Sequence, residues 1–152
     1  MTNKKNQNTI IIGVGNPMRS DDGIGVRVIE KYRANDSSAA IINGGTDALN
    51  LIDSIKQYPK AIIIDAVRMN TEPGTIKVFS PKDAKIIQND SLSTHGLGLA
   101  EMLVFLKELD IKTKITIIGI EPEDISYGDV LSATIEQQIP TVINLIKKHV
   151  NS

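Results

Sequence analysis

The chain contains no cysteine and no tryptophan. The first absence removes disulfides, thiolate metal sites and cysteine nucleophiles together, and it fits a reducing cytoplasm. Aromatic residues make up only 3% of the 152 residues, too few for a platform that stacks single-stranded nucleic acid. Neither charge sign dominates: 17 Lys plus Arg stand against 18 Asp plus Glu. No strong field therefore draws the chain to nucleic acid or to an anionic membrane. No apolar run approaches the ~20 residues that span a bilayer, so membrane insertion is not expected. Residues 1–8 are polar and lack the apolar stretch and cleavage signature of a secretion signal. What remains is a chain the size of one ordinary domain, 41% hydrophobic.

Extended and helical patterns alternate along it. Thr9 to Val14 is a continuous apolar run, the mark of a strand buried on both faces. A helix is expected over Asp21 to Tyr32, with Ile24, Val28 and Tyr32 on one stripe and Ser20 or Asp21 as N-cap. A short strand over Ala39 to Ile42 runs into Gly44-Gly45, and a helix over Thr46 to Gln57 follows. Ala61 to Ile64 is a second doubly buried strand and ends on Asp65. Glu72-Pro73-Gly74 punctuates before a half-exposed strand over Thr75 to Phe79. Pro81 to Ser91 reads as loop, His95 to Leu109 as a helix capped by Ser93 or Thr94, and Ile115 to Ile120 as the last buried strand. A closing helix is expected over Ser132 to Val150, kinked at Pro140. These alternations predict a single α/β domain over residues 9–150, preceded by the polar extension 1–8. The expected architecture is three layers, α/β/α, around a mostly parallel twisted sheet of about five strands with one edge strand antiparallel.

The first strand opens into Gly13-Val14-Gly15-Asn16-Pro17-Met18-Arg19-Ser20-Asp21-Asp22-Gly23-Ile24-Gly25, which looks at first like a nucleotide-binding loop. A dinucleotide fingerprint needs a third glycine where Met18 stands, and an acidic residue where the second strand ends in Asn43. Asp21 and Asp22 would moreover repel a pyrophosphate docked at that helix start. No Gly-Lys-Ser/Thr follows for a phosphate loop either. No nucleotide cofactor is expected.

Ligands in an open parallel sheet gather outside the carboxyl ends of the strands. Three polar residues are delivered to that edge by distant segments: Asp22 after the first strand, Asp65 at the end of an all-apolar strand, and His95 ahead of a helix. Helix N-termini favour negative charge and disfavour imidazolium, so Asp22 should be ionised and His95 neutral. Two carboxylates and one imidazole suit nickel, zinc, iron or manganese by ligand type, or could activate a water. Each residue also has a plainer reading. An Asp in a first helical turn is most often a cap, and a buried Asp65 could be paired for structure alone. The other histidine, His149, lies beside Lys147 and Lys148 in the last helical turn, where a solvated face or a dipole partner suffices. Glu121-Pro122 reads as a strand terminator.

The Gly13–Gly25 segment resembles the signature of the nickel–iron hydrogenase maturation endopeptidases. Asn43-Gly44-Gly45-Thr46, Ile63-Ile64-Asp65-Ala66, Ser93-Thr94-His95-Gly96-Leu97-Gly98-Leu99 and Gly119-Ile120-Glu121-Pro122 agree with that family in order and spacing. The resemblance covers residues 9 to 148. It implies a cytoplasmic endopeptidase that removes a C-terminal extension from the precursor of a hydrogenase large subunit once nickel has been inserted. It further implies that Asp22, Asp65 and His95 are the metal-contacting and catalytic residues, with Asp22 in the place where some relatives carry Glu. Two uses of the trio stay open at this stage. It could read nickel carried by the precursor, or it could hold a divalent ion of its own as a Lewis acid. A non-catalytic metal-dependent binding module, or a chaperone for a metalloenzyme subunit, is the alternative from another class.

Overall fold

A computed structural model describes residues 7–33, 39–47, 49–86 and 98–152 of the chain. Five strands form one sheet: β1 Thr9–Val14, β2 Ala40–Gly45, β3 Lys60–Ala66, β4 Ile76–Phe79 and β5 Lys114–Ile120. Their spatial order is β2-β1-β3-β5-β4. The first four in that order run parallel, and β4 closes the β5 edge antiparallel. The expected sheet is therefore the observed one, antiparallel edge strand included.

Strand alternation divides the core in two. Ile10, Ile12, Val14, Ala61 and Ile63 face one way, against α2 (Ile52–Ile55) and α3 (Leu99–Glu108). Ile11, Ile62 and Ile64 face the other way, against α1 (Ile24–Arg33), α4 (Ala133–Glu136) and α5 (Ile139–Val150). Both faces of β1 and β3 are sealed by aliphatic side chains, which is why their sequences are continuous apolar runs.

Several helices differ from the periodicity reading. The helix expected from Asp21 starts as a 3-10 turn over Ser20–Gly23 and becomes α-helical only at Ile24. The second helix shrinks to a 3-10 turn, Leu49–Leu51, followed by Ile52–Ile55. Pro81–Ile86, read as loop, forms a 3-10 helix. The helix expected from His95 is described from Leu99, with extended Gly98 as its N-cap; Ser93, Thr94 and His95 lie outside the described residues. The closing helix is two helices. Pro140 does not kink a continuous rod; it stands in the first turn of α5, where its missing N–H is not needed.

The glycines of the first motif are spent on close packing. A methyl group on Gly25 would lie 2.3 Å from the carbonyl oxygen of Ile64 and 2.6 Å from that of Val14. Gly25, not the sixth residue of the turn, is thus where α1 presses onto β1 and β3. Gly15 holds φ at +134°, and its added Cβ would sit 1.9 Å from the carbonyl oxygen of Asp22. No other residue type fits there, and the close turn that results brings Asp22 back over the sheet.

Candidate active site

Strand order β2-β1-β3 places a topological switch between β1 and β3, since the chain leaves β1 toward one side and builds the rest of the sheet on the other. Asp22 comes from the 3-10 turn that follows β1 and packs over β3. Asp65 is the penultimate residue of β3. Both are closed off from solvent, at 2% and 0% exposure, rather than standing on an open rim as their polarity suggested.

The two carboxylates differ in support. The Oδ2 atom of Asp22 accepts the N–H of Asn16 at 3.0 Å. Among the described residues, neither oxygen of Asp65 has a hydrogen-bond partner. Burial raises the Asp65 pKa well above the ordinary carboxylate range, and the charge of Asp22 raises it further. The neighbouring N–H of Ala66 opposes this in part, without meeting hydrogen-bond geometry. An orphaned buried carboxylate next to a second carboxylate is unfavourable by itself. A divalent cation between them would reverse the balance, because it offsets both charges and satisfies the orphaned oxygens. The donor chemistry fits such an ion. The described residues contain no group of three or more His, Cys, Asp or Glu able to hold a metal. The third expected donor, His95, lies outside them.

A raised pKa has a stability consequence with a definite sign. The native state favours protonated Asp65, so its contribution is fully present below the unfolded carboxylate pKa and is lost as pH rises through the native value. In metal-free protein, the stability of Asp65→Asn relative to the parent should therefore grow with pH. By pH 8 Asp65→Asn is expected to be the more stable of the two, because Asn never has to carry a charge in the buried site. Urea unfolding at pH 5 and pH 8 with a chelator present checks this; a difference that shrinks with pH contradicts it.

Asp21, adjacent to Asp22, has another task. It is fully buried and caps nothing in its own helix. Its Oδ2 accepts the N–H groups of Glu123 (3.0 Å) and Asp124 (2.8 Å) and the hydroxyl of Ser132 (2.8 Å), while Oδ1 accepts the Ser132 N–H (2.8 Å). Ser20, also expected as a cap, instead takes a left-handed φ of +52° and donates its hydroxyl to the carbonyl of Ser126. Glu121 is more than a strand terminator. Its buried Oε1 accepts the N–H groups of Met69 and Thr71, both at 2.9 Å, and so fixes the loop that leaves β3. Periodicity could not show this. The signal available was an acid at the end of an aliphatic strand, the same one that marked Asp65.

The remaining titratable features lie elsewhere. His149 lies in the last turn of α5, and its pKa is lowered by partial burial and by Lys148, Lys60 and Lys114. A surface hollow of about 490 Å³ lined by Lys56, Tyr58, Asp110 and Thr113 lies where the chain enters β3 and β5, at the end of the sheet away from Asp65.

A doubly covered, mostly parallel sheet with two buried carboxylates at its switch point defines the class: an α/β protein with an acidic pair at the carboxyl ends of its central strands. The hydrogenase maturation protease family matches residues 26–149, a stretch that begins just after Asp22 and includes Asp65 and position 95. The hydrogenase 2 maturation protease of Escherichia coli is 29% identical over 143 residues, covering 90% of this chain and 87% of that protein. The hydrogenase expression/formation protein HupD of Rhizobium leguminosarum bv. viciae is 30% identical over 141 residues, covering 88% and 69%. Among solved structures, the hydrogenase maturating endopeptidase HybD from E. coli superposes with a TM-score of 0.83 at 26% identity, over 94% of this chain and 91% of that one. This chain belongs to the hydrogenase maturation protease family.

Proposed function

We propose that this protein is the endopeptidase that trims the C-terminal extension from the large-subunit precursor of a nickel–iron hydrogenase in the cytoplasm. In this reading Asp22, Asp65 and His95 read the nickel already seated in that precursor. Family membership makes the chain a hydrolase of hydrogenase maturation. The observation that carries the metal reading is the buried, unpartnered carboxylate of Asp65 beside Asp22.

The nickel is part of the substrate and acts as a licence. Bringing it to the pair draws the proton from Asp65, turns a repulsive pair into a ligating one, and positions the precursor's tail over the strand ends. A carboxylate of the site then takes a proton from a water as the water oxygen adds to the scissile carbonyl carbon. The C–N bond breaks, and that proton goes to the leaving amine. No cysteine is available for a thiol route.

The test is a mass measurement of nickel-loaded precursor after incubation with the purified protein. Loss of the C-terminal extension is expected. Intact precursor held in a stable complex would instead mark a chaperone or binding module. A stoichiometric divalent ion kept by the protein through dialysis would assign the acidic pair a resident metal in place of a licensing one.

A further inference from the structure

The loop that carries Asp22 also supports an outward apolar surface for which hydrolysis has no use. Met18 is 60% exposed, Tyr127 86% and Val130 72%. Backbone pairing draws the first two together. The Gly128 N–H donates to the Met18 carbonyl and the Ser20 N–H to the Gly128 carbonyl, each at 2.9 Å. The guanidinium of Arg19 lies 5.4 Å from the centroid of the Tyr127 ring.

This exposure is held in place. Backbone groups of the 123–132 segment turn inward, where buried Asp21 accepts the N–H groups of Glu123, Asp124 and Ser132 and the Ser132 hydroxyl. The hydroxyl of Ser20 reaches the Ser126 carbonyl, and the Arg19 Nε donates to Ile125 at 3.3 Å. The outward side chains of this segment are mixed: Tyr127 and Val130 stand out beside exposed Glu123, Asp124 and Asp129, while Leu131 is buried. Exposed apolar side chains on a backbone held this way bind with little ordering cost.

We propose that Met18, Arg19 and Tyr127 form the platform on which the client polypeptide docks beside its scissile bond, with an apolar side chain of the client seated against Met18 and Tyr127. This rests on the proteolytic reading above. The occupant follows from continuity with the acidic pair. Asn16 gives its N–H to Asp22 at 3.0 Å and accepts the Met18 N–H on its Oδ1 at 2.9 Å. One residue thus links the platform to the carboxylates, which places the platform beside the proposed cleavage site. A second copy of this protein fits less well, since three exposed side chains fall short of the ~800 Å² per partner that a stable pair buries.

The experiment measures steady-state cleavage of nickel-loaded precursor by the full-length protein and by Tyr127→Ala, Met18→Ser and Val104→Ser. Val104 is an equally exposed apolar residue on α3, 59% accessible, and serves as control. Tyr127→Ala is expected to raise KM roughly tenfold, as loss of a buried aromatic anchor does, with kcat changing far less. Met18→Ser should act in the same direction and Val104→Ser should do nothing. Unchanged KM in Tyr127→Ala, with normal cleavage by the parent, overturns the platform alone. Equal losses in Val104→Ser overturn it as well, because the effect would then not be local. A parent-concentration-dependent dimer that the Tyr127→Ala change abolishes would assign the surface to self-association. Failure of the parent to cleave removes the proteolytic reading and the platform together.

Discussion

Asp65→Asn is expected to lower the cleavage rate of nickel-loaded precursor by at least ~10³-fold, the scale seen when a charge-stabilising group is removed from an active site. Asn keeps the shape of the acid and removes its capacity to become an anion. Because Asp65 has no hydrogen-bond partner among the described residues, nothing structural is lost with the charge. Asp22→Asn should show a comparable loss, since the second carboxylate supplies the other half of the negative site, and His95→Ala should follow if the ring is the third donor. Circular dichroism and urea unfolding should show native, undiminished stability in the two Asn variants. An Asp65→Asn protein that still trims the precursor at more than a tenth of the parent rate would remove the acidic pair from the mechanism.

The neighbouring residue should behave in the opposite way. Asp21→Ala leaves three backbone N–H groups and one hydroxyl without their acceptor in a partly buried setting. Each unsatisfied group costs about 1–3 kcal/mol, reduced where water can enter, so a net loss of about 3–4 kcal/mol is expected. For a domain of this size that corresponds to a fall in Tm of roughly 10 °C. Thermal unfolding of the purified variant checks it. Two adjacent aspartates would then separate cleanly: Asp22 governs activity with little effect on stability, and Asp21 governs stability. A Tm shift below about 2 °C for Asp21→Ala would show that the 123–132 segment is held by other means.

The contrast also marks how far the sequence could be read. β1, β3 and β5 were legible because strands buried on both faces must be aliphatic throughout, and their spacing left room only for crossover helices. The acidic edge was legible for the same reason: Asp65 interrupts a run in which every other side chain is apolar. What separates Asp21 from Asp22 was not legible. Both follow the same turn, and only the 123–132 segment, about a hundred residues away, decides that Asp21 takes its donors while Asp22 accepts from Asn16 and acts on Asp65 through its charge. Ser20 was misread as a cap because capping depends on φ, and its left-handed backbone is imposed by pairing with Gly128. The break between α4 and α5 was hidden by an apolar spacing that stays in register across it, Ile135, Ile139 and Val142 all reaching the same core. Glycine roles were partly inverted: the motif lacks the third glycine of a nucleotide loop, yet Gly25 performs the close packing that such a glycine provides.

The central claim is that a buried pair of carboxylates at the β1–β3 switch reads a cation brought by the substrate. Its most direct test compares one purified precursor in nickel-loaded and nickel-free forms, each incubated with this protein and followed by mass. Release of the C-terminal extension from the loaded form alone is the predicted result; trimming of both forms at the same rate would contradict it.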